Sequence, residues 1–153
     1  MVMQQLLKKI TTLESYIENA DAICSEVSAG TVAWHIEHSC LVITKIVQTV
    51  QNSDPNKYQW KWNLKRAFVF LTGKFPRGRA KAPESVMPIS NITKAHLHES
   101  IASAKKAVAT LSTCAKNQYF LHPFFGDLNT SSTMYFLGIH TKHHLRIIED
   151  ILK

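Results

Sequence analysis

The sequence lacks any long apolar run. No segment approaches the about 18 uncharged apolar residues that a membrane-spanning helix needs. Residues 1–20 mix charged with apolar side chains every three or four positions, so the continuous apolar core of a signal peptide is missing there. We predict neither export nor a membrane span, and we expect a cytoplasmic protein without a membrane partner.

Cysteine is also scarce. The three cysteines, Cys24, Cys40 and Cys114, are odd in number, widely spaced and outside any CxxC pair. This pattern argues against a disulfide framework and fits reduced thiols in a cytoplasm. We interpret each cysteine as a small core residue rather than a nucleophile.

Strand-like alternation, internal repeats and low-complexity tracts are missing as well. Glycine and proline number five each, and residues 73–90 hold two of the glycines and three of the prolines, which predicts an irregular loop there. A chain of 153 residues with 45% hydrophobic and 19% charged residues is typical of one folded domain. We therefore predict a single helical domain over residues 1–153.

What the sequence does have is helical periodicity. Apolar residues recur at three- and four-residue spacing, which places them along one side of a helix. The predicted helices cover residues 2–20, 31–52, 92–117 and 130–152, with a shorter aromatic and basic helix at 56–71. The predicted fold class is all-α: a four-helix bundle with a long crossover, containing the short extra helix, between the second and third long helices.

Polar residues mark where three of these helices begin. Ser28 or Thr31 is predicted to cap the second helix, Asn91 the third and Asn129 the last. Their side chains can accept hydrogen bonds from the N–H groups that a first turn leaves free. Residues 118–128 are then a structured connection into the last helix.

Histidine is abundant, with eight in the chain. At about 100° per residue, His140 and His144 fall on either side of the centre of the last helix's apolar stripe, and His143 falls at its edge. Two imidazoles four residues apart on one helix face can reach the same ion. The spacing favours a metal site, although two core histidines satisfied by backbone or water would show the same spacing.

A mononuclear site needs a third protein ligand from elsewhere in the chain. The candidates are His35, His38, His96, His98 and His122. On the second helix His35 lies roughly 60° from the stripe centre and His38 roughly 120°, so the helical wheel slightly favours His35. Glu37 could be an acceptor behind a ligand or a general base, with a solvated surface glutamate as the simpler interpretation. His96 and His98 point to different faces of the third helix, and we interpret both as solvated.

Two short runs carry a family resemblance. WHIEHS at 34–39 and HTKHHLRII at 140–148 resemble motifs of the DinB-like (YfiT-like) superfamily of four-helix-bundle metal proteins. In that superfamily one helix supplies a histidine and the last helix supplies a pair spaced H-x-x-x-H. The resemblance implies His38, His140 and His144 as the metal ligands, against the mild preference of the wheel for the other histidine of the second helix.

Two further segments extend the resemblance over nearly the whole chain. GKFPRGRAKAP at 73–83 and HPFFGDL at 122–128 are similar to a branch of the superfamily with a basic glycine/proline loop and an HPFFG turn. Within HPFFG, His122 or Phe124 could line the mouth of the site. We favour a structural role, in which the two phenylalanines fix the entry of the last helix.

The resemblance implies a metal-dependent enzyme acting on a small molecule. Characterised DinB-like members transfer low-molecular-weight thiols such as bacillithiol or mycothiol to electrophiles, and one is a thiol-dependent maleylpyruvate isomerase. The implied cofactors are a divalent ion, zinc or nickel first and iron third, and a low-molecular-weight thiol. Three imidazoles do not by themselves choose the metal. The implied function is that of a thiol S-transferase or hydrolase, in a family that often forms homodimers; the alternative is a non-catalytic metal-binding or interaction protein.

Basic and aromatic residues are interleaved before and within the predicted loop, in a chain of net charge +7. We favour a solvated loop with tryptophans packed on the bundle. A rim that attracts an anionic thiol or carboxylate substrate comes second, and single-stranded nucleic acid third. The residues concerned are Trp60, Lys61, Trp62, Lys65, Arg66, Lys74, Arg77, Arg79 and Lys81.

Overall fold

The computed structural model describes residues 2–75, 84–88 and 90–153, and most of them are helical. The described ranges contain α1 (Val2–Ser15), α2 (Val32–Gln51), α3 (Leu64–Thr72), α4 (Lys94–Thr113), α5 (Thr130–Ile151), β1 (Tyr119–His122) and β2 (Gly126–Asn129). Short 3-10 turns lie at Ile17–Asn19, Pro55–Lys57 and Glu84–Val86. None of the helices in these ranges is long and apolar enough to cross a bilayer.

The four long helices share one core. Helices α1 and α2 each pack against both α4 and α5. The inward residues repeat at three- and four-residue spacing, as the sequence predicted, and their burial supplies the main stabilisation. Fully buried side chains include Leu6, Ile10, Leu13, Ile36, Ile43, Leu97, Ile101, Leu111, Leu137 and Ile148.

Helix α2 is the most enclosed of the four long helices. It contacts α4, α5, β1 and two of the 3-10 turns, and every residue from His35 to Cys40 is buried. The Thr31 side chain caps it by accepting a hydrogen bond from the Trp34 N–H, which decides between the two predicted caps. Because α2 is covered on several faces, polar residues off its apolar stripe are enclosed too.

Of the other two predicted helix caps, the one for α5 is confirmed and the one for α4 is wrong. Asn129 caps α5 as predicted, accepting a hydrogen bond from Ser132 N. The prediction of Asn91 as the cap of α4 was wrong, because Thr93 accepts the hydrogen bond from His96 N instead. Asn91 lies outside the helix with a φ of 64°, a conformation that asparagine tolerates better than most residues.

Helix α3 is shorter than the predicted helix at 56–71. Asn63 caps its start by accepting a hydrogen bond from Arg66 N, and Gly73, with φ 60°, ends it in the left-handed conformation. The interpretation of Trp60 and Trp62 as packed on the bundle was also wrong, because both are exposed. Of the predicted basic loop, Arg77, Arg79 and Lys81 lie outside the described residues.

Residues 119–129 form a small antiparallel hairpin that the sequence did not predict. Tyr119 pairs with Asn129 and His122 with Gly126, and Gly126 has a φ of 71°. Strands of four residues are too short to show a clear alternation of apolar and polar positions. The predicted all-α class is therefore confirmed in part: the described residues are mostly helical, but they also contain this two-stranded sheet.

Candidate metal centre

Three histidines from two helices meet between α2 and α5. His38 comes from α2, and His140 and His144 come from successive turns of α5. We call these three residues the trio. One ring nitrogen from each lies within 4.8 Å of the others. Zinc bound by three imidazoles needs its nitrogens about 3.4 Å apart, so small side-chain rotations would close the group around an ion.

The His38 ring has a defined proton position. Its Nδ1 lies 2.8 Å from the carbonyl oxygen of Val86, and because a carbonyl can only accept, Nδ1 must donate. The Trp34 indole stacks on the imidazole with ring centroids 4.9 Å apart and fixes its plane. In the neutral ring Nε2 therefore carries the lone pair, as a metal ligand requires.

His144 is supported from behind by a hydrogen-bonded chain. Its Nδ1 lies 2.9 Å from Nδ1 of His35, whose Nε2 lies 2.9 Å from the Ser28 hydroxyl. If His144 donates to His35 and His35 donates to Ser28, then Nε2 of His144 is free to bind an ion. Metal-bound histidines usually donate their second ring N–H to an acceptor behind them, ordinarily a carboxylate, a backbone carbonyl or water; here a second imidazole takes that place.

His140 has a ring nitrogen with no hydrogen bond. Its Nδ1 is buried and has no partner among the described residues, although the residue as a whole is only partly buried. Leaving a polar group buried and unpaired costs about 1–3 kcal/mol. The aromatic rings of Phe75 and Phe136 have their centroids 6.3 and 6.0 Å from that of the His140 ring. Neither ring offers a hydrogen-bonding atom.

All three rings are held in the neutral form. Burial is the main cause that lowers the pKa of His38, while the Val86 carbonyl opposes the shift. Burial, and then repulsion from neighbouring histidines, holds the pKa of His140 and of His144 well below the usual value. At neutral pH the group therefore offers lone pairs rather than positive charges.

The structure separates the two histidines of α2 that the sequence left in competition. His38 joins the pair from α5, and His35 lies behind His144. Both are buried, so the helical wheel, which assumes one buried face, could not rank them. The assignment of His38, His140 and His144 as metal ligands stays a prediction, now with a geometry that suits it.

Glu37 and the histidines of α4 do not belong to this group. Glu37 is buried, and its Oε1 lies 3.0 Å from Nε2 of His96, without the alignment of a hydrogen bond. The interpretation of Glu37 as a solvated residue was therefore wrong. His96 is half-exposed, whereas His98 is exposed as predicted.

His122 lies near the trio but packs as a structural residue. Its ring stacks on Phe125 with centroids 4.2 Å apart and lies 4.9 Å from Phe136, which also contacts His140. Burial lowers the pKa of His122 to about 4. The preference for a structural role of HPFFG is consistent with this packing.

The three cysteines are free thiols in the structure. Cys40 is buried, and Cys24 and Cys114 are half-buried. Burial, and secondly the charge of Glu37, raises the pKa of the Cys40 thiol to about 12. Cys40 is therefore a core residue and not a nucleophile.

A basic cleft of about 150 Å³ lies beside the trio. It is lined by Gly73, Lys74, Phe75, His143 and Arg146. The Phe75 ring stands 5.8 Å from the ring of His143, and the His143 ring stands 5.2 Å from that of His144. Among the described residues neither Lys74 nor Arg146 forms an ion pair, so both can attract an anion.

The sequence did not point to every residue that positions the trio. Trp34 stands four residues before His38, a helical spacing that could have revealed the stacking. Ser28 was considered only as a helix cap. Val86 lies 48 residues from His38 in the chain, and no local pattern predicts that contact.

Comparisons with known proteins add no assignment. The chain matches no known family model, no curated protein and no solved structure. The three-histidine group and the basic cleft beside it are therefore what the molecule itself offers for a functional conclusion.

Proposed function

We propose that the chain is a metal-dependent enzyme of the DinB-like type. His38, His140 and His144 bind a divalent ion, and a small anionic substrate enters through the cleft lined by Lys74 and Arg146. The reaction is transfer of a low-molecular-weight thiol to an electrophile, or hydrolysis.

The observation that carries this proposal is the state of the three rings. His38 has its proton fixed on Nδ1, His144 has its Nδ1 engaged by His35, and His140 has a buried nitrogen without a partner. Three neutral imidazoles with free lone pairs at one point fit a zinc, nickel or iron ion. Most buried polar atoms have a hydrogen-bond partner, so the unpaired nitrogen of His140 supports a ligand at this position.

When bound, an ion held by three neutral ligands keeps its full charge and an open position, and it lowers the pKa of a thiol or water at that position. The protein's own residues do the rest. Val86 and His35 hold the rings of His38 and His144 in place. Phe75, which lines the cleft, and Phe136 place apolar rings beside His140, and Lys74 attracts negative charge.

The first test is the metal content of the full-length protein and of single variants. We expect about one divalent ion per chain, lost in His38→Ala, His140→Ala and His144→Ala. The matched control is His98→Ala, which removes an exposed histidine of α4 and should leave the content unchanged. A wild-type protein that binds no divalent ion with micromolar or better affinity would overturn the proposal.

The second test separates an enzyme from a metal-binding protein. The metal-loaded protein is offered bacillithiol-like thiols with a model electrophile, and a series of esters. Turnover that disappears in His144→Ala supports the enzyme. A fully loaded protein that is inert with every thiol and ester would argue against it.

A non-catalytic role is the second candidate. Its supporting observation is that the three histidines come from two helices, so an ion would tie α2 to α5. In that case metal removal should lower the melting temperature strongly while no substrate is turned over. Because an ion that binds only the folded chain stabilises it in either role, turnover and not the melting temperature separates the two candidates.

A further inference from the structure

Helix α3 turns an apolar stripe toward solvent. Leu64, Phe68 and Leu71 are 73%, 62% and 88% exposed. Their spacing of four and three residues places them within roughly 60° of one another on the helix. The opposite side faces the protein, where Val69 is buried and the Phe70 ring contacts that of Tyr135 at 5.1 Å. The helix is therefore apolar on two opposite sides, and only one of them has a protein partner within the described residues.

Three further aromatic side chains near the start of α3 are exposed as well. Trp60 and Trp62 are 61% and 68% exposed, with their rings 6.4 Å apart. Phe124, from the turn of the hairpin, is also exposed and lies 5.8 Å from the Nζ of Lys65. We call this region the α3 surface: Trp60, Trp62, Leu64, Phe68, Leu71 and Phe124. A monomeric protein rarely exposes so many large apolar side chains together unless something binds there.

The segment that carries most of the α3 surface is basic. Residues 55–75 contain five basic residues and no acidic one. Lys57, Lys61, Lys65 and Lys74 are exposed, and none of them forms an ion pair within the described part of the chain. The nearby Asp127 carboxylate accepts a hydrogen bond from Gln59 N. An anionic partner with an apolar interior would complement this surface.

We propose that the α3 surface docks on an anionic lipid bilayer. Tryptophan, phenylalanine and leucine side chains enter the boundary between headgroups and acyl chains, and the lysines approach the lipid phosphates. A second copy of the chain is a poorer occupant, since two basic rims would repel. Nucleic acid is poorer too, since Leu64 and Leu71 offer no flat ring on which a base could stack.

This proposal stands apart from the metal site and does not depend on it. It concerns docking on the surface of a membrane rather than spanning one. It departs from the sequence-based expectation of no membrane partner, because the exposure of these side chains is a property of the folded chain. The sequence predicted that the tryptophans pack on the bundle, whereas both are exposed.

The test is cosedimentation of the full chain with vesicles of phosphatidylcholine alone and of phosphatidylcholine with phosphatidylglycerol. We expect binding to the anionic vesicles, with a shift of tryptophan fluorescence to shorter wavelength, and weakening at high salt. The double variant Phe68→Ser, Leu71→Ser should bind the anionic vesicles at least about tenfold more weakly than the wild type does. The matched control is Ile23→Ser, an exposed apolar residue outside the α3 surface, which should bind as the wild type does.

The substituted residues of the double variant and of the control are all exposed. Far-ultraviolet circular dichroism checks that both variants retain their helices. Three results would each overturn the proposal. One is equal binding of the wild type and the double variant to anionic vesicles. Another is a dimer in solution that Leu71→Ser alone dissociates. The third is retention on single-stranded nucleic acid without any on vesicles.

Discussion

At the scale of single residues, hydrogen bonds decide which nitrogens of the trio can bind a metal. The Val86 carbonyl fixes the proton of His38. The hydrogen-bonded chain from His144 through His35 to Ser28 leaves Nε2 of His144 free for a metal when His144 donates to His35. Groups behind a ligand orient it and raise its basicity. His35 is therefore a positioning residue in this arrangement and not a fourth ligand.

This role of His35 is testable by His35→Leu. The variant should still bind about one ion per chain, but about 10- to 100-fold more weakly, because the ring of His144 loses its acceptor. Competition with a chromogenic chelator measures the affinity. His122→Phe is the control, since it removes a half-buried histidine without touching that chain, and its affinity should change by less than about twofold. Unchanged affinity in His35→Leu would contradict the role.

How much of the site could be predicted differs from residue to residue. Helical spacing alone placed His140 and His144 inward, and the structure confirms their position facing α2. The partner from α2 could not be chosen this way, because His35 and His38 are both buried. The choice depends on which helices surround α2, and no local pattern in the sequence carries that information.

At the scale of secondary-structure elements, helix ends were predicted where one polar residue stood out. Asn129 had no nearby competitor and caps α5. Asn91 and Thr93 both stand before α4, and the sequence did not distinguish the residue that caps from the one that turns the chain. The hairpin was missed because two strands of four residues leave no periodic pattern.

Helix α4 offers a direct test of its cap. Thr93→Ala should lower the free energy of unfolding by about 0.5–2 kcal/mol, because the His96 N–H loses its acceptor. Asn91→Gly should be neutral or slightly stabilising, because glycine adopts a φ of 64° without strain. Urea denaturation measures both. The reverse order, with Asn91→Gly the more damaging, would show that Asn91 is the cap.

At the scale of the whole molecule, metal binding and folding are linked because the three histidines come from α2 and α5. An ion that binds only the folded chain stabilises it by about 2.7 kcal/mol at a concentration 100 times its dissociation constant. We expect this gain in the wild type and in His98→Ala, and no gain in His38→Ala. Thermal denaturation with and without zinc measures it. An equal gain in His38→Ala would mean that the ion binds elsewhere.

The metal-free protein should lose stability in mild acid. Burial lowers the pKa of His35 and of His122 from 6.5 to about 4, and it also holds the pKa values of His140 and His144 well below their usual value. The unfolded chain therefore takes up protons below pH 6.5 that the folded chain does not bind. The free energy of unfolding that these histidines contribute is fully present above pH 6.5, and it is lost as the pH falls toward 4.

Each such histidine contributes up to about 1.4 kcal/mol per pH unit to this loss. Urea denaturation of metal-free protein between pH 7.5 and 5 measures the slope, in a range where most carboxylates stay ionised. His122→Phe should show a shallower slope than the wild type, because one buried neutral histidine is gone. His98→Ala removes an exposed histidine and should keep the wild-type slope. A stability that is flat from pH 7.5 to 5 would mean that these histidines are not buried in the neutral form, and the case for lone pairs directed at a metal would fail with it.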